Sequence, residues 1–90
     1  MNKFYIITYD LKIPGRDYAS LYSAIRNSAD WQHPLESVWL VYTSKDANTL
    51  YNEIRPSMDN SDLLFIAKID PQDRQGWMAK SCWEWMNSKL

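Results

Sequence analysis

The chain has 90 residues, with ten Lys or Arg against eleven Asp or Glu, one His, one Cys and a formal net charge of −1. That length fits one domain near the lower limit for a self-sufficient core, so pairing of subunits is expected. The balanced charge argues against a broad basic face for nucleic acid, and a lone cysteine, Cys82, excludes an internal disulfide.

Five Trp, six Tyr and two Phe are more aromatic surface than so short a chain buries, which points to a partner interface or a stacking site. The start Met1-Asn2-Lys3 lacks the apolar segment of a signal peptide. No apolar run approaches the roughly 20 residues that cross a bilayer. A cytoplasmic protein without a membrane partner is the expectation.

Phe4 to Asp10 reads as a strand, because β-branched and aromatic side chains suit a pleated, half-buried surface. Alternation puts Phe4, Ile6, Thr8 and Asp10 on one face and Tyr5, Ile7 and Tyr9 on the other. Both faces carry bulky groups, so the strand is expected to be central. Lys12-Ile13-Pro14-Gly15 is a loop. A helix follows from Arg16 or Asp17 to Ser28, since Tyr18, Leu21, Tyr22 and Ile25 recur at helical spacing and Asp17 suits its start.

Trp31-Gln32-His33 reads as a short strand, Pro34-Leu35-Glu36 as a turn, and Ser37 to Thr43 as a second central strand. Ser44 is the expected N-cap of the next helix, where Ala47, Leu50, Tyr51 and Ile54 form a stripe that Pro56 should stop near Arg55. Met58 to Ser61 is a loop, Asp62 to Ile69 the last strand, and Gln72 to Gly76 a polar turn. Met78, Cys82, Trp85 and Met86 place a short helix within Trp77 to Ser88. The fold class expected is α+β: a ferredoxin-like βαββαβ sandwich over residues 1–90 with an extra short C-terminal helix. Right-handed crossovers put the first and third strands in the centre. Two helices cover one sheet face. The other face needs the Trp-rich tail or a second subunit.

Asp10, at the exit of the first strand, is the candidate catalytic acid and the candidate ligand for magnesium. A second ligand has to come from elsewhere, and a copy of Asp10 across a two-fold axis is one source. Lys12 and Arg16 flank the same strand end and, with Tyr9, form a candidate clamp for a phosphate and a base. Trp39 and Trp77 complete the candidate ligand-binding set; the Trp77, Trp83, Trp85 group is otherwise expected to be packing. Asp59 and Asp62 read as turn and cap residues. His33 and Cys82 show no spacing that favours a nucleophile pair, and Cys82 on an apolar stripe reads as a small buried hydrophobe. Zinc-ligand and phosphate-loop patterns are absent.

Tyr5-Ile6-Ile7-Thr8-Tyr9-Asp10-Leu11, a following helix and then Ser37-Val38-Trp39-Leu40-Val41 resemble the small ferredoxin-like CRISPR-associated adaptation subunits and the VapD-type ribonuclease toxins. With the Asp17-Tyr18 to Ile25 helix and the Gly76-Trp77 tail, the chain resembles still more the short SinR-like proteins of bacteria and phages. The resemblance implies a homodimer built through the sheets. It implies that Asp10 holds the position proposed to bind metal in nuclease members, an aspartate dispensable where the dimer is a DNA-binding scaffold. This chain departs from those families in having no marked basic surplus.

Four functions follow as expectations. The first is a homodimer that binds nucleic acid or a nucleotide with weak or no catalysis. The second is a metal-dependent endoribonuclease of toxin type using paired Asp10. The third is a protein that sequesters a small nucleotide signal in phage–host defence, and the fourth a plain interaction module.

Overall fold

A computed structural model describes all 90 residues. The four apolar runs form strands β1 (Lys3–Asp10), β2 (Asp30–Leu35), β3 (Val38–Thr43) and β4 (Leu63–Lys68). They join into one sheet in the order β2-β3-β1-β4, antiparallel throughout. β1 and β3 are therefore the inner strands, as their two-sided apolar pattern requires. Helices α1 (Ala19–Ser28), α2 (Ala47–Ile54) and α3 (Lys80–Ser88) complete an α+β fold. None of them is long and apolar enough to cross a membrane.

The pairing decides what each face carries. Ile7 lies opposite Trp39 on β3 and Ile66 on β4, and Tyr5 lies opposite Val41. This face packs beneath Leu21 and Ile25 of α1 and Leu50 and Ile54 of α2. Ile7, Leu21, Ile25, Val41, Leu50 and Ile54 lose all contact with water. Burial of such a side chain is worth about 1.5–3 kcal/mol, so this layer is the main source of stability.

The second face carries Phe4, Ile6, Leu40 and Tyr42, and α3 lies over it with Cys82 and Met86 inward. The chain thus covers part of this face with its own Trp-rich end. The Trp85 ring meets Phe4 edge-on at 5.6 Å. Its Nε1 donates to Asp30 at the start of β2, 3.1 Å away, and Lys89 pairs with the same carboxylate at 2.7 Å. The cover stops short of the far end. Leu35, Val38, Thr8 and Phe65 lie opposite one another in a row across all four strands, and Leu63 lies opposite Asp10. In that region Leu35, Leu63 and Phe65 stay 51%, 59% and 64% exposed.

Several boundaries differ from the periodicity reading, each for a local reason. α1 begins at Ala19, because Asp17 accepts the Ala19 N–H at 2.9 Å and shapes a turn ahead of the helix. Asp46, not Ser44, caps α2, accepting from the Thr49 N–H at 2.8 Å. β2 runs on through Pro34 to Leu35. It is an edge strand with a register shift between Gln32 and Leu35, where a proline without an N–H is tolerated. Pro56 ends α2 as expected, in a 3-10 turn over Arg55–Ser57. α3 begins only at Lys80, so Trp77 lies outside it.

Candidate functional site at the end of β1

Asp10 is the last residue of β1 and is exposed. Lys12, two residues further on, places its ammonium 2.6 Å from the Asp10 carboxylate. Two cavities adjoin this strand end. One, of about 250 Å³, is lined by Thr8, Tyr9, Asp10, Leu63, Leu64 and Phe65. The other, of about 280 Å³, is lined by Tyr9, Asp10, Leu11, Tyr22, Glu36 and Ser37.

Tyr9 turns into the helix-covered face. Its hydroxyl accepts a hydrogen bond from Trp39 Nε1 at 3.0 Å. Burial pushes the phenol above its usual pKa, the Trp39 bond opposing and the neighbouring Tyr22 and Glu36 adding to the rise. At neutral pH Tyr9 is thus a neutral hydrogen-bonding group. Trp39 is 1% exposed. His33 stacks on it at 3.9 Å and 11°, Trp31 meets it at 5.2 Å, and Tyr22 stacks at 6.1 Å. Tyr9 and Trp39 are therefore members of one aromatic nest bridging β1, β2, β3 and α1.

The loop after β1 is fixed by Asp62, which is 5% exposed. Its carboxylate accepts from the Lys12 N–H at 2.8 Å, the Tyr18 hydroxyl at 2.9 Å and the Asp59 N–H at 2.8 Å. Burial alone would raise its pKa, but these three donors outweigh that and hold it below the usual carboxylate range. Burial, reinforced by donation to Asp62, raises the Tyr18 phenol. Asp59 accepts from both the N–H and the hydroxyl of Ser61, which lower its pKa, and pairs with Arg16 at 3.3 Å. Gly15, at a φ of +78°, gives the loop the left-handed bend that this docking needs.

The structure thus pairs Asp10 with Lys12, turns Tyr9 to the opposite, helix-covered face with Trp39 behind it, and ties Arg16 to the Asp59–Asp62 turn, so Tyr9, Lys12 and Arg16 do not form one clamp. Trp77 stands apart, in the segment between β4 and α3, 99% exposed and lining neither cavity at Asp10. Tyr22, Glu36 and Ser37 enter the site without any mark in the sequence. Tyr22 lies on the apolar stripe of α1. Glu36 and Ser37 form the β2–β3 turn, held against β1 where the Tyr9 N–H donates to the Ser37 carbonyl at 3.3 Å. Cys82 and His33 lie on opposite faces of the sheet, Cys82 packed on Phe4 and Leu40 and His33 on Trp39.

No cluster of three or more His, Cys, Asp or Glu that could hold a metal ion is present. At Asp10 one chain offers a single carboxylate already neutralised by an ammonium. Magnesium takes one or two carboxylates together with substrate phosphates, and Asp10 supplies one carboxylate, here paired with the Lys12 ammonium. What the strand end supplies is hydrogen-bonding and ionic groups beside an apolar surface, without a nucleophile–base pair. No family model, curated protein or solved structure matches the chain.

Proposed function

We propose that the chain is a ferredoxin-like subunit of a homodimer that binds nucleic acid or a nucleotide, with little or no catalysis of its own. The strand order β2-β3-β1-β4, with α1 and α2 on one face, supports the ferredoxin-like arrangement. The observation that carries the dimer is the exposure of Leu35, Leu63 and Phe65 along and beside the row Leu35, Val38, Thr8 and Phe65. An apolar strip across a whole sheet is costly to leave in water and serves as a pairing surface. Exposed Trp77 supplies a ring for stacking a base. The formal charge of −1 favours a small nucleotide or a short single strand over duplex DNA.

The test is to denature the purified protein and identify by mass spectrometry what it releases, while light scattering reports its mass in solution. The proposal expects a dimer that releases a nucleotide or short RNA. A monomer that releases nothing overturns it.

One observation favours the endoribonuclease reading as an alternative. Asp10 is exposed and shares its face with Thr8, Leu63 and Phe65, so a partner on that face adds a second Asp10 to the same rim. That reading expects magnesium-dependent RNA cleavage that disappears in Asp10→Asn. Equal cleavage by the variant, or none by either protein, removes it.

A further inference from the structure

Only one cavity of the chain reaches the size range of ligand sites, roughly 300–1,000 Å³. It is an open groove of about 420 Å³ at the C-terminal end of α2, lined by Tyr51, Asn52, Arg55, Pro56, Met58 and Asn60. It shares no lining residue with the two cavities at Asp10. Tyr51 and Arg55 are four residues apart and so lie on one side of the last turn of α2. Pro56 then turns the chain, and Asn60 comes from the loop that leads to β4. Met58, buried in the main core, anchors the groove to the rest of the fold.

Six of the ten cations are in no ion pair: Lys3, Arg26, Arg55, Lys68, Arg74 and Lys80. Lys3, Arg26, Lys68 and Lys80 are exposed, and Arg74 donates to Asn87. Arg55 alone is half-buried without a polar partner in the chain. Its guanidinium nitrogens stay open to water. The groove therefore offers a free planar donor, the exposed carboxamides of Asn52 and Asn60, and the exposed ring of Tyr51.

The end of α2 decides what kind of group fits. A helix C-terminus carries partial negative charge, which disfavours a phosphate there. A neutral base suits it better. Guanine presents two acceptors, O6 and N7, to a guanidinium fork, whereas adenine sets a donor beside N7. A carboxamide oxygen can accept the donors on the opposite edge of guanine, and a tyrosine ring stacks any base.

We propose that this groove binds a guanine base, with Arg55 on O6 and N7, Asn52 or Asn60 on N1–H and N2–H, and Tyr51 stacked on the ring. This assignment rests on the nucleotide reading above and adds the base and the place.

GMP is the probe, with AMP as control, each titrated while NMR follows the side-chain amides of Asn52 and Asn60 and the Arg55 Nε–H. A uridine hexamer carrying one guanine, titrated beside them, tells a strand from a free nucleotide as the source of the base. Saturable shifts at all three side chains are expected with GMP, and binding at least about tenfold weaker with AMP. Arg55→Lys keeps the charge but loses the fork, so it should weaken GMP about tenfold and leave AMP nearly unchanged. Tyr51→Ala should weaken both by about tenfold. From about 50 to 200 mM salt the GMP affinity should change less than about twofold, because no phosphate is neutralised. Equal binding of GMP and AMP overturns the assignment, as does an Arg55→Lys variant that binds GMP like the wild type. Shifts confined to the Asp10 end overturn this site and leave nucleotide binding standing. Absence of shifts anywhere with GMP, AMP and the hexamer overturns both.

Discussion

Asp62 shows how one carboxylate sets the geometry of the strand end. It satisfies two backbone N–H groups and a phenol at once, and so fixes where Lys12 leaves β1. Asp62→Ala strands all three donors and should lower stability by about 3 kcal/mol, read from urea denaturation curves. The pH dependence follows from the direction of its shift. Its folded-state pKa lies below the unfolded one, so its contribution is complete above about pH 4 and is lost as pH falls through the folded value. The stability gap between wild type and Asp62→Asn should stay constant from neutral pH down to about 5 and close below about 4. Asp30, lowered first by Lys89, and Asp46, lowered first by the Thr49 N–H, act in the same direction. Cys82 is the opposite case. Burial raises its thiol pKa, so a thiol reagent should label it only as fast as α3 opens, and rapid labelling of the native protein would refute its placement.

The strands and the stripes of α1 and α2 were legible in the sequence because period 2 and period 3.6 record burial on known faces. Phe4 to Asp10 and Ser37 to Thr43, bulky on both sides, did prove to be the inner strands. The ends were less legible. Asp17, Ser44 and Asp46 are all competent cap residues, and only the fold selects Asp46 to accept the Thr49 N–H in the first turn of α2. Asp62 as a turn residue was readable, but not its reach of 50 positions back to Lys12. Tyr9 and Trp39 as ligand platforms rested on residue type, whereas pairing between β1 and β3 joins them to each other. The Trp-rich tail left open which sheet it covers; α3 covers its own. Met86, 2% exposed beneath α3, tests that placement: Met86→Ala should cost about 2–4 kcal/mol in a denaturant titration. A loss near zero would mean that α3 is not seated on Phe4 and Leu40.

At the scale of the whole molecule, two faces of one sheet have different fates. The first is closed by α1 and α2. The second is closed by α3 at the Phe4 end and open at the Thr8 end, where Leu35, Leu63 and Phe65 meet water beside Asp10. Phe65→Lys places a charge at the β4 end of the strip without touching either packed layer, so it should break the dimer and leave thermal stability per chain nearly intact. Sedimentation equilibrium on wild type and Phe65→Lys tests this most directly. The proposed pairing predicts a dimer for the wild type and a monomer for the variant; a wild-type monomer, or a variant that remains a dimer, would contradict it.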